Sequence, residues 1–144
     1  MEKITVNKSK IFEFLEHTAD IKIRVYGKTL GEIFENIVLA LSSYIAKDKK
    51  IRSKIKKKII IESKNNEELV YLFIDELLFL LDAENFISCK ASVKVKDGKI
   101  EAFLEGDDTR KYKGLNHVKA ATYAEMYVKQ LKNKSWEAQF VIDV

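Results

Sequence analysis

Beyond about residue 86 this chain has no further helical run, and the alternation that takes over limits the folds open to it. Up to about residue 81 two long segments carry apolar residues at helical spacing, whereas afterwards the pattern is one of alternation. In ISCKASVKV and KIEAFLEG every second residue is apolar or small, and the two runs flank Lys96-Asp97-Gly98-Lys99, where Asp-Gly signals a tight hairpin turn. HVKAATYAEMYVKQ alternates Val118, Ala120 and Thr122 with their neighbours, and SWEAQFVIDV alternates Trp136, Ala138, Phe140 and Ile142. KNKS between these two reads as another hairpin turn. Four hairpin-like strands in succession require antiparallel sheet. GDDTRKYKGLN, which separates the two pairs, reads as a surface loop of about ten residues, the kind of segment that tends to carry function.

The earlier segments supply the helices. In TLGEIFENIVLALSSYIA, residues Leu30, Ile33, Phe34, Ile37, Val38, Leu41 and Ile45 fall on one face. Thr29 and Glu32 have capping-box spacing, and Gly27 before them lets the chain turn. In NNEELVYLFIDELLFLLDAE, Asn65 is placed to cap with Glu68 three residues on, and the apolar stripe is wide enough for a mostly buried helix. One strand is expected before each helix. Ile21, Ile23 and Val25 alternate with Lys22, Arg24 and Tyr26; Ile55, Ile59 and Ile61 mark the other, in residues 55–63. The expected order is β-α-β-α-β-β-β-β. This is an α+β fold with layers β/β/α, two helices on an antiparallel-rich sheet and a second strand layer over what they leave bare. A ferredoxin-like sandwich needs six elements, and eight are counted.

At 144 residues the chain is expected to form a single domain over 1–144, with 47% apolar and 33% charged residues as in ordinary globular proteins. The apolar run near residues 69–81 is broken by Asp75 and Glu76 and is no membrane span. MEKITVNKSK has no signal-peptide core, so a cytoplasmic location is expected. Cys89, the single cysteine, excludes intrachain disulfides and lies in a strand-like run as a buried, inert thiol. The net charge of +4 is concentrated in KDKKIRSKIKKK, residues 47–58, with eight basic residues and one acid. That run is either an electrostatic footprint for RNA or an acidic partner, or a solvated loop leading into a strand with lysines on its wet face. There is no proline, and the five glycines form no phosphate loop.

Hydrolytic chemistry finds few candidates. The chain has His17 and His117 and lacks G-x-S-x-G, Walker and dinucleotide motifs, and the spacing suggests no zinc site. Asp20 and Asp143 are different: one stands at a strand entrance after His17-Thr18-Ala19, the other one residue before the last. Val144 adds a carboxylate if the native end lies there. Such oxygen donors suit a hard cation, Ca²⁺ or Mg²⁺. Strand-end caps or solvated surface acids are the plainer alternative, and composition by itself favours it.

EHTADIKIRVYGKTLGEIFENIVLAL resembles the opening of the archease family, with its H-T/P-A-D motif, glycine-ended strand and capped helix. LFIDELLFLLD is similar to the family's second-helix signature, VKAATY to its V-K-A-[VI]-T-Y, and WEAQFVIDV to its last strand. The blocks occur in family order along nearly the whole chain. Ala124 departs from the pattern, because many members carry His directly after that Thr-Tyr. The resemblance implies the same element order and a non-enzymatic protein of tRNA splicing. It would assist the catalytic subunit of the GTP-dependent tRNA-splicing RNA ligase, promoting guanylylation of the ligase and multiple turnover. The resemblance further implies a divalent-metal site formed by Asp20 and Asp143 with an oxygen of Val144. Ca²⁺ is favoured there, with Mg²⁺ and Mn²⁺ as alternatives. His17 would be a neighbour of that site and not a ligand. Asp20 is then expected to meet Asp143 across the sheet. The competing expectations are a small basic RNA-binding module using residues 47–58, with weak, nonspecific RNA contact, and a metal-dependent hydrolase, which the shortage of bases disfavours.

Overall fold

The computed structural model describes the backbone of residues 3–5 and the full residues 11–15, 20–47 and 49–144. The strands are β1 (Lys3–Thr5), β2 (Phe12–Leu15), β3 (Asp20–Gly27), β4 (Ile55–Glu62), β5 (Phe86–Lys96), β6 (Lys99–Asp108), β7 (Ala120–Gln130) and β8 (Trp136–Asp143). The helices are α1 (Leu30–Ala46) and α2 (Asn66–Ala83). They form two antiparallel sheets, in orders β1-β2-β3-β8-β7 and β4-β6-β5. The α+β reading with two strand layers and two helices therefore holds. The element order needs two additions. Two short strands precede β3, and FEFL in β2 is too brief for alternation to distinguish it from a loop.

Both helices start where the capping residues put them. Thr29 Oγ1 accepts from Glu32 N at 3.1 Å, and Glu32 Oε1 accepts from Lys28 N at 2.8 Å. Asn65 Oδ1 accepts from Glu68 N at 2.9 Å. The stripe of α1 is buried through Ile33, Phe34, Ile37, Val38, Leu41 and Ile45, and that of α2 through Leu69, Val70, Phe73, Ile74, Leu77, Leu78 and Leu80. Phe34 and Phe73 meet edge to face between the helices, with ring centroids 5.2 Å apart. Ile23, Val25, Ala138, Phe140 and Ile142 of one sheet and Ile100, Ala102 and Leu104 of the other join the same core cluster.

Each helix also closes a sheet edge. Glu35 of α1 accepts a hydrogen bond from Val93 N of β5 at 2.9 Å, and Glu67 of α2 accepts one from Val128 N of β7 at 3.2 Å. These carboxylates satisfy strand amides that would otherwise invite pairing with another chain. Beside the bulge at Ser88/Lys90, a side chain at Gly106 would lie 1.9 Å from the Ile87 carbonyl, so the strands approach there only because residue 106 has no Cβ.

The expected ten-residue surface loop is shorter than the composition suggested. β6 continues through Asp108, and Thr109–Lys111 form a 3₁₀ turn. Asp107 is fully buried, accepting from Tyr112 Oη at 2.6 Å and from Asp108 N at 2.8 Å. Tyr112 Oη in turn accepts from Arg52 N at 3.0 Å, which ties this turn to the segment before β4. The hydroxyl hydrogen bond holds the Asp107 carboxyl below its usual range.

Candidate functional site

The register between β3 and β8 determines what can meet at the strand ends. Asp20 is the direct Cα partner of Asp143, and Ala120 of β7 is Asp143's partner on the other side. Directly opposed residues of an antiparallel ladder project to the same face, so the two carboxylates share one side of the sheet at one end of it. Both aspartates are half-buried, and Val144 packs partly against the core. The Asp143 carbonyl accepts from Lys119 N at 2.8 Å, so main-chain hydrogen bonding continues to the end of β8. The sequence expectation that Asp20 meets Asp143 across the sheet is thus met at the level of strand register.

The rest of that face is a polar network. Lys22, one row in from Asp20, is only 8% exposed and pairs with Glu125 at 2.8 Å. Arg24 Nε donates to Gln139 Oε1 at 2.7 Å, and Gln139 Nε2 donates to the Glu125 carbonyl at 2.8 Å. Tyr26 donates to Glu13 of β2, and Tyr127 donates to Glu137 at 2.5 Å. Burial, reinforced by these carboxylate acceptors, pushes both phenols well above their ordinary value of 10.0. Of these residues, Glu13, Glu125, Tyr127 and Gln139 carry no sequence signal that singles them out. Alternation in DIKIRVYG marks a polar face, but not that this face is buried and cross-linked.

Like charges directly opposite each other in a ladder are an unfavourable pair. Lys22, two residues further along β3 on the same face, is engaged by Glu125. An all-oxygen pair in this setting suits a hard divalent cation. No group of three His, Cys, Asp or Glu side chains gathers among the described residues, so a cation here would draw its further donors from main-chain or solvent oxygens or from outside that set. His17, Thr18 and Ala19 lie outside the described residues.

The remaining candidates sort themselves out by environment. His117 is exposed in the segment before β7. Cys89 is half-buried, and burial pushes its thiol up, away from nucleophilic character. Of the basic segment, Lys57 pairs with Glu84 at 2.6 Å and Lys58 with Glu101 at 3.0 Å, while Lys56 and Lys58 occupy the wet face of β4. That matches a loop leading into a strand with lysines outward. Ala124 lies exposed where the β7–β8 register shifts, and its N–H donates to Thr122 Oγ1 at 3.2 Å. No described helix is long and apolar enough to cross a membrane.

Comparison with known proteins places these features in a family context. The profile of the archease protein family (MTH1598/TM1083) matches residues 12–144. The archease of Pyrococcus furiosus is 40% identical over 139 residues, covering 92% of this chain and 98% of its own. That of Pyrobaculum neutrophilum is 38% identical, covering 98% of this chain and all of its own length. Among solved structures, protein 1598 of Methanobacterium thermoautotrophicum is similar with a TM-score of 0.77 and 27% identity over 94% of this chain and 99% of that one. A Thermotoga maritima protein described as an archease and possible chaperone shares the fold with a TM-score of 0.61, at 14% identity over 90% of this chain and 94% of that one.

Proposed function

The chain belongs to the archease family, and from that premise we propose that it is a non-enzymatic activator of the tRNA-splicing RNA ligase. In this reading it acts in the cytoplasm on the catalytic subunit of the ligase, promoting guanylylation and repeated turnover. The structural observation that carries the reading is the direct pairing of Asp20 with Asp143 at one end of the five-stranded sheet. It supports a divalent-cation site held by the two carboxylates and an oxygen of Val144, with Ca²⁺ favoured over Mg²⁺ and Mn²⁺ because calcium accepts irregular sets of oxygen ligands. When bound, the cation supplies positive charge and an oxygen-coordinating centre at the strand ends. The protein's own residues fix the geometry around it. Main-chain pairing on both flanks of Asp143 holds its backbone, and the Lys22–Glu125 and Arg24–Gln139 pairs stiffen the face from which Asp20 and Asp143 project.

Such a site fits an activator better than a hydrolase. Among the described residues neither His117 nor Cys89 hydrogen-bonds to a partner that would make it a nucleophile or a base, and the buried acid Asp107 is satisfied within its own turn. The test is ligase turnover with and without this protein. Sub-stoichiometric ligase should complete multiple rounds only in its presence, and Asp20→Ala and Asp143→Ala proteins should fail to support them. A ligase indifferent to the protein would remove the activator reading.

A further inference from the structure

No described helix covers the outer face of the three-stranded sheet, and its composition follows from the register. One row is Lys58, Phe103 and Ser92; the next is Ile60, Glu101 and Lys94. Toward one end stand Lys56, Glu105 and Lys90, and toward the other Glu62, Lys99 and Lys96, so lysine outnumbers glutamate on this face. At its centre, on the middle strand, the Phe103 side chain is 40% exposed, and Ile60 beside it is 52% exposed. Lys58 Nζ lies 5.4 Å and Lys94 Nζ 6.0 Å from the Phe103 ring centroid. Lys56, Lys96 and Lys99 make no ion pair among the described residues.

We propose that this face binds single-stranded RNA, with phosphates held by the lysines of β4 and β5 and a base stacked on Phe103. Ordinary solvation explains scattered lysines; it does not explain an exposed aromatic ring on the central strand between two of them. Interfaces with other proteins are depleted of lysine at their centres, which argues against a protein docking here. A flat, basic strand surface with an outward ring has the two elements that single strands require, backbone charge and a stacking platform. A duplex is a poor match, because side chains cannot read the narrow major groove of A-form RNA. The preference for RNA over DNA rests on the ligase reading above; the binding face itself does not. With one aromatic platform and point-charge lysines, the binding is weak and tolerant of sequence.

The experiment is fluorescence anisotropy of a short labelled oligouridine titrated with the intact protein between about 50 and 200 mM salt. Phe103→Ala should weaken binding about tenfold without changing the salt slope, because stacking releases no counterions. Lys94→Gln with Lys96→Gln should flatten the slope of log K against log salt by about 0.7 per lysine. Thermal melting of each variant alongside the parent checks that the exposed substitutions leave the fold intact. Parent-like affinity in Phe103→Ala, or an unchanged slope in the lysine variant, overturns the proposal. So does loss of binding in Lys49→Gln/Lys50→Gln alone, which would place the RNA on the preceding loop. Displacement of the oligouridine by polyglutamate of equal charge would also overturn it and point to an acidic protein partner. Ligase turnover of the same variants reports on the activator reading alone, and oligouridine affinity on this face alone.

Discussion

Asp20 and Asp143 are direct partners across the β3–β8 ladder, at the point where one strand begins and the other ends. Opposed like charges cost stability unless a proton or a cation relieves them. Asp143→Ala should therefore be no less stable than the parent in chelator, and Asp20→Ala is its companion variant for the ion response. Both should lose the rise in melting temperature that Ca²⁺ gives the parent, since a ligand bound only by the native state adds about 2.7 kcal/mol at a hundredfold excess over Kd. The double variant should behave like either single one, as residues sharing one ligand do. Melting scans with Ca²⁺, Mg²⁺, Mn²⁺ and chelator decide it. A parent whose melting ignores all three ions is incompatible with the site.

Tyr26 and Tyr127 on the same face lead to an alkaline prediction. Their folded-state pKa values are raised, so the native state holds these protons more tightly than the unfolded chain does. The resulting stability is fully present below pH 10 and declines as pH rises above it. Denaturant midpoints measured from pH 8 upward should fall beyond pH 10, and more gently in Tyr127→Phe. At neutral pH, Tyr26→Phe should cost about 1–3 kcal/mol, because it withdraws a donor from the buried Glu13 carboxylate. A Tyr26→Phe protein as stable as the parent would show that this hydrogen bond contributes little.

Gly106→Ala should be among the most damaging single-methyl additions. The new Cβ would fall within 1.9 Å of the Ile87 carbonyl, and backbone rather than a flexible side chain would have to move. A loss of about 3 kcal/mol is expected. Gly114, unlike Gly106, has a positive φ, of 69°, but its nearest obstacle is the Lys49 Nζ atom at 3.6 Å. Gly114→Ala should cost only about 1–2 kcal/mol, the penalty of the left-handed conformation. Urea denaturation of the two variants provides the comparison, and equal losses would contradict it.

Cys89 should be dispensable for function. It is half-buried beside the β5 bulge, and its thiol is pushed away from the reactive thiolate form. Cys89→Ala should cost at most about 1–2 kcal/mol and leave ligase activation unchanged. A folded Cys89→Ala protein that no longer activates would show that the thiol has a chemical role.

What the sequence determined by itself was local. Thr29 with Glu32 and Asn65 with Glu68 announced both helix starts, because a cap satisfies amides within three residues of itself. The stripe of α1 and the Asp97-Gly98 turn were equally legible, since each depends on spacing along a few residues. The motif blocks pointed to the family and to Asp20 and Asp143 as a pair. Only the tertiary structure decided that these two are in register, because strands distant in the chain are aligned by sheet order and core packing. It also decided that Lys22 and Glu13 are buried, that Glu35 and Glu67 close sheet edges, and that Phe103 faces outward. A lysine, glutamate or phenylalanine in an alternating strand has the same local pattern in either setting. Its surroundings come from elements far away in the chain, and those surroundings, not the pattern, set its role.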